Sequence, residues 1–571
     1  MDKEAYVMDK EAYKIHIFLA LSLIIAIFIR LYPLKNYAVW GSDSGEYYFL
    51  SNYLYECGNL SLEYGGWGRT YPYFPGMFIV VAWAARLFGV SILSSLRFSV
   101  PILSSLSVVL LYFIAMEIFK DKKVALLSSL FLAVFVAHVF TTAKPTPGSL
   151  ADPLLLGCIL LLLKSYKSKS YLPLLYLTTI ALVITHHMST YFLIISLLGG
   201  ILIRELSHKA YSKKLKVELP YALFLLSSTF IFWYGFTNFP KHILSSAIPF
   251  IPSWGYIPLA YLGLIFLAML IYGFKGKLFA HLTYPSAKEF LKRYLMILMI
   301  FTMIALIIVV TTVPGTSIQV GTDALIWALP AIIFTSFYIM GTGIVHTYEN
   351  GGFVYGWILA LLLSFLVGAV MHSHTLIPYR HLQYIAPPLV LLSSLGIVKL
   401  HGILPTKRKK RGLKIFVSVL VVAMAFTAYP PPGVFGGFDE GLTSGDMEAV
   451  EWISCNIPEN AVIATDHRLS SAIFGFAGVM CTWDSASQIL YGESYEEARD
   501  QLISCETPAG NRSIDYVVID KTMVEKGVAL LQWKNALPLS EGAVKKFYRH
   551  PFELIYDNGD VQIFRVRIPR V

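Results

Sequence analysis

Long apolar runs recur through most of this chain and constrain its fold more than any other feature. A helix needs about 20 mostly apolar residues to cross a bilayer, and fourteen runs approach that length. They lie at about 14–33, 76–90, 95–119, 122–142, 150–165, 171–187, 188–205, 219–237, 256–273, 293–312, 323–342, 355–371, 378–400 and 413–429. Only 14% of the residues are charged, against roughly 25% in soluble globular proteins. Most of the chain is therefore expected in lipid, which excludes a water-soluble multidomain protein.

The basic segments indicate which span ends face the cytoplasm. Lys and Arg collect on the cytoplasmic side of a membrane protein, and the basic segments here fall on one face when the spans between them are counted. With the N-terminal tail inside, the chain must cross once before Lys120, so the short run 76–90 is predicted to lie in the outer interface. Thirteen spans remain, and the C-terminus ends outside. This asymmetry accounts for the net charge of +10 without a nucleic-acid partner.

The composition changes from about Gly436 onward, where charge rises and the spans stop. Short β-branched runs such as AVIATD and IDYVVID alternate with helical patterns, which favours a small α/β domain. We therefore predict an α-helical polytopic protein of the cell membrane with about 13 transmembrane helices over residues 1–435. A small extracytoplasmic α/β domain follows over residues 436–571. The C-terminal segment has no nucleotide-binding motif.

Ionisable residues gather at span ends on the predicted outer face. They are Asp43, Glu46, Lys144, Asp152, His186, His187 and Arg380. Ionisable groups at membrane depth are costly and tend to mark functional sites. Acids, imidazoles and cations around one shared external cavity suit an anionic lipid, and a lipid phosphate that carries a sugar fits this inventory. Cations would stabilise the departing phosphate, a carboxylate would take a proton from the acceptor, and the anomeric carbon would invert.

The same residues also have purely structural interpretations. Asp43, with Glu46 three residues later, resembles a helix capping box. Asp152 could simply start a helix. The two histidines could be interfacial residues satisfied by backbone groups, and Arg380 and Lys144 could extend toward phospholipid head groups.

The order of the motifs along the chain carries a resemblance. A first span is followed by GSDSGEYYF, by the proline-led YPYFPGMFIVVAWAARLFGVS, by an Arg-opened span that a basic turn closes, and by GSLADPLLLG. A late segment reads IPYRHLQYIAPPLVLLSSLGI. This order resembles the GT-C superfamily of integral-membrane glycosyltransferases, which use polyprenyl-phosphate sugars. It is similar to that of protein O-mannosyltransferases and lipid A aminoarabinose transferases.

The resemblance implies roles for individual residues. Asp43 would be the general base, or a metal ligand if a divalent cation such as Mg²⁺ or Mn²⁺ is used. Asp152 would be the second acid and would orient the acceptor or share the metal. Arg380 would hold the lipid phosphate, and Glu46 would belong to the substrate site. We infer the same binding role for Lys144, His186 and His187 from their charge and predicted side. The implied partners are a polyprenyl-phosphate sugar, a protein or glycan acceptor, and membrane lipids.

Other functions remain open at this stage. The layout of thirteen spans and an external C-terminal domain resembles the catalytic subunit of oligosaccharyltransferases. The WWDYG motif of that subunit is absent, and TDHRLSSAIFG stands in the comparable place. Within that segment, His467 and Arg468 are candidates for binding the acceptor or a diphosphate. A transporter would carry polar residues near the bilayer midplane, whereas the ionisable residues here lie at span ends. A non-catalytic membrane scaffold is the remaining alternative.

Overall fold

A computed structural model describes residues 2–60, 64–207, 212–237, 239–241, 252–274, 322–370, 376–431, 434, 438–530 and 537–567. Within these residues, eight helices are long and apolar enough to cross a membrane. The number is nine if the bent pair Lys122–Val134 and Val136–Thr142 counts as one span. The chain is therefore a multi-pass membrane protein, as the apolar runs predict.

The helices of the membrane part follow the predicted runs closely. In chain order they are α1 (Asp2–Leu31), α2 (Ser44–Cys57), α3 (Gly76–Phe88), α4 (Ile92–Ser105), α5 (Ser107–Phe119), α6 (Lys122–Val134), α7 (Val136–Thr142), α8 (Pro147–Ser165), α9 (Leu172–Thr185), α10 (His187–Ser207), α11 (Leu215–Gly235), α12 (Tyr256–Phe274), α13 (Thr322–Ser336), α14 (Tyr338–Val345), α15 (Gly351–Val370), α16 (Leu382–Ile403) and α17 (Lys407–Phe426). The predicted span at 293–312 lies outside the described residues, so the total of thirteen spans stays a prediction.

Helix α3 occupies the run that the charge pattern predicts to be interfacial. It has 13 residues, fewer than a span requires. Its apolar side chains Trp83, Leu87 and Phe88 are 73%, 74% and 72% exposed on the protein surface. An apolar outer face on a short helix is typical of a segment that lies along the bilayer boundary.

Small residues let α10 and α15 approach closely. A Cβ atom on Gly356 would lie 1.9 Å from the carbonyl oxygen of Gly199, and one on Gly352 would lie 2.7 Å from the Cα of Arg204. Glycines at a helix–helix contact allow backbone approach, which favours association within a membrane. Because α10 begins at His187, this packing also fixes the position of the predicted histidine pair.

The C-terminal part, which we call the C-terminal domain, is built on a five-stranded sheet with the order β4-β3-β7-β9-β8. Strand β3 (Val462–Ala464) runs parallel to β4 (Met480–Cys481) and β7 (Tyr516–Asp520). Strand β9 (Val561–Val566) runs antiparallel to β7 and to β8 (Phe552–Asp557). The remaining elements are α18 (Ser444–Asn456), α19 (His467–Ala472), α20 (Ser487–Tyr491), α21 (Tyr495–Ile503), the pair β5 (Cys505–Thr507) and β6 (Gly510–Arg512), α22 (Lys521–Glu525) and α23 (Glu541–Lys545). A helical membrane protein with a C-terminal α/β unit is thus confirmed.

Two contacts join the segment after α1 to the C-terminal domain. Strand β1 (Val39–Trp40) pairs antiparallel with β2 (Gly441–Leu442). A few residues later, backbone meets backbone: a Cβ atom on Gly45 would lie 1.9 Å from the carbonyl oxygen of Ser471, and one on Gly475 would lie 2.0 Å from that of Gly45. These contacts place the start of α2 directly against α19.

We predict that Gly45→Ala destabilises the protein, because the new methyl group would overlap the backbone of α19. Overpacking of this kind typically costs about 1–3 kcal/mol. The measurement is the thermal unfolding midpoint of the purified protein in detergent. Gly65→Ala is the matched control, since a Cβ atom there meets open space. Equal midpoints for the two variants would contradict the close contact.

Candidate active site

Asp43 lies at the first turn of α2, where that helix meets the C-terminal domain. Its Oδ1 lies 2.8 Å from Nε2 of His467. Its Oδ2 accepts hydrogen bonds from the hydroxyl groups of Tyr71 at 3.0 Å and Tyr47 at 3.3 Å. The Asp43 side chain makes no capping bond to α2, so the capping box that the sequence also suggests is not formed. The carboxylate is instead held by side chains from three separate parts of the chain.

The partner of Asp43 comes from the carboxyl end of the parallel strands. His467 follows β3 and Asp484 follows β4, and Nδ1 of His467 lies 3.2 Å from Oδ1 of Asp484. Carboxyl ends of adjacent parallel strands meet at one edge of a sheet, where open α/β sheets place their sites. The Trp67 ring stands edge-on to the imidazole, with centroids 5.0 Å apart. The result is a chain of contacts from Asp484 through His467 to Asp43.

These contacts shift the pKa values of Asp43 and His467 in opposite directions. Burial opposes the ionisation of Asp43, but the hydrogen bond to His467 and the charge on its imidazole lower the pKa of Asp43 overall. Burial also opposes the charged form of His467, but the bonds to Asp43 and Asp484 raise its pKa well above the usual value. The favoured state at neutral pH is therefore an imidazolium between two carboxylates.

Glu46, the second acid of the opening motif, is fully buried. Its Oε1 accepts hydrogen bonds from the Tyr64 hydroxyl at 2.6 Å and from the Gly68 amide at 3.0 Å. Burial and the neighbouring charge of Asp43 raise the pKa of Glu46 to about 7. The structure thus places Glu46 behind Asp43, where it anchors the segment 64–71 that carries Tyr71 and Trp67.

Arg380 is the residue that the sequence predicts to bind the lipid phosphate. It is exposed, it precedes α16, and its charge acts on Asp43, Tyr71 and both predicted histidines. An exposed guanidinium beside a carboxylate at a span end is suited to bind an anionic oxygen. The structure therefore groups Arg380 with Asp43. We call Asp43, Tyr71, Arg380, His467 and Asp484 the Asp43 site.

His186 and His187 stand at the junction of α9 and α10, as the sequence predicts. Nδ1 of His186 lies 2.8 Å from the Ser189 hydroxyl, and the His187 ring packs 5.1 Å from that of Phe74, centroid to centroid. Phe74 belongs to the same segment as Tyr71, so the histidine pair lies beside the Asp43 site. Both rings are half-buried and line that end of the bundle.

Asp152 takes a different position from the one expected of a second acid in a shared pocket. It is buried in α8, where Oδ2 accepts a hydrogen bond from the Ser107 hydroxyl at 2.5 Å and lies 2.9 Å from Nε2 of His138. The other ring nitrogen of His138 lies 2.8 Å from the guanidinium of Arg30. The Gln383 amide completes the shell at 3.3 Å. Among the described residues, no hydrogen-bond partner is common to Asp152 and Asp43, because Ser107, His138 and Gln383 hold the Asp152 carboxylate inside the bundle.

Lys144 and Arg468 are each held by carboxylates. Nζ of Lys144 lies 2.5 Å from Oε1 of Glu440, so its charge is paired across the junction with the C-terminal domain and not directed toward a phosphate. Arg468 is fully buried and contacts Asp466 and Asp520 at 3.0 and 2.9 Å. It fixes α19 to the sheet, which corrects the prediction that it could bind an acceptor or a diphosphate.

The residues as placed do not fit a metal site shared by Asp43 and Asp152. The carboxylate oxygens of each acid already contact other groups. In the part of the chain that the structure describes, no group of three or more His, Cys, Asp or Glu side chains could hold a metal ion. We therefore derive no catalytic step through a metal.

Sequence reasoning missed the partners of Asp43. Tyr71 was read only as part of a proline-led interfacial segment, and Asp484 was not singled out. A usable signal existed: TDH follows the strand AVIA, and TWD follows the strand that ends at Cys481. Polar residues directly after two short β-branched strands indicate the carboxyl edge of a parallel sheet.

Comparisons with known proteins agree with this architecture. Residues 72–233 match the family described as dolichyl-phosphate-mannose-protein mannosyltransferase. No curated protein sequence gives a significant match. The family match covers the region from the Tyr71 segment through α11, which includes Asp152, Lys144 and the histidine pair.

Solved structures share the fold of the chain over most of its length. The archaeal oligosaccharyltransferase AglB from Archaeoglobus fulgidus, in complex with an inhibitory peptide and a dolichol-phosphate, aligns with a TM-score of 0.58 at 13% identity. The alignment covers 89% of this chain and 70% of AglB. The same enzyme tethered to an acceptor peptide gives 0.58 at 12% identity over 97% and 74%. ArnT from Cupriavidus metallidurans, bound to undecaprenyl phosphate, gives 0.49 at 11% identity over 96% and 97%. The chain therefore shares the fold of a membrane glycosyltransferase over most of its length, and residues 72–233 resemble a glycosyltransferase family, as the sequence predicts.

We predict that Glu46 makes stability fall with rising pH. A pKa of about 7 in the folded protein, against 4.5 when unperturbed, means that the folded state holds the proton more tightly. Stability is then lost as pH rises from about 4.5 through 7, by up to roughly 3 kcal/mol. Glu46→Gln should abolish this part of the decline in thermal unfolding midpoints recorded from pH 5 to 8. Glu56→Gln, an exposed change in the same helix, should leave the wild-type slope, and an unchanged slope in Glu46→Gln would contradict the assignment.

Proposed function

We propose that this protein transfers a sugar from a polyprenyl-phosphate donor to an acceptor at the extracytoplasmic face, with inversion, and that Asp43 is the general base. The observation that carries the proposal is the partly exposed Asp43 carboxylate, which Tyr71 and His467 hold at one end of the helix bundle and on which the charge of Arg380 acts. A lipid phosphate whose tail stays in the bilayer would reach this end of the spans. The acceptor would arrive from water on the side of the C-terminal domain.

The chemistry needs few groups. The acceptor oxygen would attack the anomeric carbon while the bond from that carbon to the phosphate oxygen breaks. Asp43 would take the proton of the acceptor, and polyprenyl phosphate would leave with its charge stabilised by Arg380. Phosphate is a good leaving group, so this displacement requires no strong acid. A single direct displacement inverts the anomeric centre.

The donor class is supported by two lines of reasoning. The matching family is described by a dolichyl-phosphate sugar donor, and AglB, which shares this fold, was solved with a dolichol-phosphate. The exposed guanidinium of Arg380 offers a planar pair of donors to a phosphate. His186 and His187 lie on the same side and are proposed to line the path of the phosphate or the sugar.

The proposed orientation rests on charge. The N-cap end of α6 and the start of α17 carry the basic runs Lys122-Lys123 and Lys407 to Arg411, which the positive-inside rule assigns to the cytoplasm. The first span leads from the N-terminal tail to the Asp43 site. Under this rule, that site and the C-terminal domain are extracytoplasmic.

Oligosaccharyl transfer to protein Asn is the second candidate. It is favoured by the shared fold with AglB, which extends over 97% of this chain and includes the C-terminal domain. It is disfavoured by the residues after β3, where His467 turns toward Asp43 in place of a WWDYG motif. The two candidates differ in the donor: one sugar on a monophosphate, or a preassembled glycan on a lipid carrier.

We predict that Asp43→Asn lowers transfer by at least about 100-fold, since loss of a general base typically costs 10²–10⁴. The assay offers radiolabelled polyprenyl-phosphate monosaccharides to the purified protein with membrane extract as the acceptor source. A parallel assay offers lipid-linked oligosaccharide and a sequon peptide. Asp500→Asn, an exposed change in the C-terminal domain, should retain wild-type activity. A second series with EDTA decides whether a divalent cation is required, and undiminished transfer by Asp43→Asn would overturn the proposed base.

We predict a different signature for Arg380. Arg380→Lys keeps the charge but loses the planar pair of donors, so we expect KM for the donor to rise about tenfold, and Arg380→Ala to reduce kcat/KM further. Initial rates at varied donor concentration measure both constants. Arg69→Lys provides the control, because Arg69 is also exposed and donates a hydrogen bond to the Pro508 carbonyl. A normal KM in both Arg380 variants would place the phosphate elsewhere.

A further inference from the structure

His467 is the one group of the C-terminal domain that reaches the carboxylate of Asp43. It is fully buried, Asp484 is 5% exposed, and Asp43 is 22% exposed. Only the outermost member of the three can therefore meet a substrate. A carboxylate offers about four lone-pair positions. His467, Tyr71 and Tyr47 occupy up to three of them, which leaves one for the acceptor hydroxyl.

The position of His467 is determined by its own domain. Its backbone amide donates to the Ala529 carbonyl at 2.8 Å, and Asp466 caps α19 by accepting from the Leu469 amide at 3.0 Å. The side chain of the next residue, Arg468, is buried and forms ion pairs with Asp466 and Asp520. The backbone of His467 is thus fixed at a strand-to-helix turn by contacts within its own domain.

The residue that precedes Asp484 shows that this arrangement carries a conformational cost. Trp483 has φ of 48°, a left-handed conformation that a bulky residue rarely adopts. Its side chain is buried in the core of the C-terminal domain. Residues held in such conformations tend to lie at functional sites, where the surrounding structure enforces them. Here the strained turn directs Asp484 toward Nδ1 of His467.

We propose that His467, oriented by Asp484, is a positioning residue for the glycosyl transfer, so that the C-terminal domain completes the active site. The inference rests on the proposed function, because it assigns His467 a role through Asp43. His467 donates Nε2–H to Oδ1 of Asp43 and fixes the carboxylate plane, so that the remaining lone pair points at the acceptor. The C-terminal domain is then part of the catalytic unit and not only a surface for acceptor binding.

The electrostatic surroundings of His467 define the pH dependence of this arrangement. Asp43 faces it from α2, and Asp484 faces it from the turn after β4. Glu46 interacts with it through space, Arg380 acts on the same Asp43 carboxylate from the membrane part, and the Trp67 ring closes the remaining side. Removal of the imidazolium should raise the pKa of Asp43, because an opposite charge nearby lowers a carboxyl pKa. The acid limb of the rate profile should therefore move to higher pH.

The test compares His467→Gln and Asp484→Asn with wild type in kcat and KM from pH 5 to 9. For His467→Gln we expect kcat to fall about 10- to 100-fold, while KM for the donor stays within threefold of the wild-type value. The acid limb of the rate profile should lie about one pH unit higher than in wild type. For Asp484→Asn we expect the same direction and a smaller effect. His550→Gln, an exposed histidine of the same domain, is the control. An unchanged kcat and pH profile in His467→Gln would overturn the proposal, as would a loss of activity that merely follows a lowered unfolding midpoint.

A second measurement does not depend on activity. Wild-type protein labelled with ¹⁵N-histidine should show an imidazolium signal at pH 7.5 that disappears in His467→Gln and titrates at lower pH in Asp484→Asn and Asp43→Asn. A neutral His467 ring, or one that ignores both substitutions, would refute the contact on which the inference rests. If wild type transfers no sugar from any polyprenyl phosphate while these shifts are observed, the proposed function fails and the contact stands. If transfer is normal and the shifts are absent, the inference alone fails.

Discussion

Hydrocarbon offers no hydrogen-bond partner to the backbone, and this constraint organises the rest of the molecule. Every segment that crosses the membrane must be helical, so irregular backbone and solvated charge are confined to the ends of the spans. The membrane part of the Asp43 site comes from such ends: the start of α2, the segment before α3 and the residues before α16, with the α9–α10 junction beside them. The same constraint explains why Asp152, which lies within α8, needs His138, Ser107 and Gln383 around its carboxylate. A charge buried in the bundle persists only when it is paired.

Much of the fold could be predicted because its signals are local. The length of each apolar run determines a span, and the drop in hydropathy after about residue 436 marks the change to an α/β unit. The importance of Asp43 was also accessible, since an acid close to a span end is conspicuous in a chain with so few charges. What the sequence could not decide was whether Asp43 caps α2, because both interpretations use the same residue at the same helix position. The structure distinguishes them through the partners of the carboxylate, which come from residues 47, 71 and 467.

The rest of the site depends on long-range contacts that no local pattern encodes. Lys144 was expected to bind a phosphate because its charge and side were right, yet Glu440 is brought beside it by the pairing of β1 with β2. Asp152 is expected beside Asp43 because both lie at span ends on one side, yet hydrogen bonds from His138 and Ser107 hold it within the bundle. The sequence predicts His467 as a ligand for the acceptor or a diphosphate, since its contact with Asp43 depends on how the sheet docks on α2. In each case the local sequence does not reveal which residue, far away along the chain, is the contact partner.

The backbone contact between Gly45 and Gly475 joins a region that is synthesised early to one that is synthesised late. Asp43 and His467 are 424 residues apart, so a ribosome delivers the first span and its acid long before the strands that carry the imidazole exist. During that interval the carboxylate can contact the hydroxyl groups of Tyr47 and Tyr71 but lacks the imidazole of His467. Only when the last two of the five strands, β8 and β9, have been added is the sheet of the C-terminal domain complete. The set of contacts around Asp43 is thereby completed only when the C-terminal domain has been synthesised.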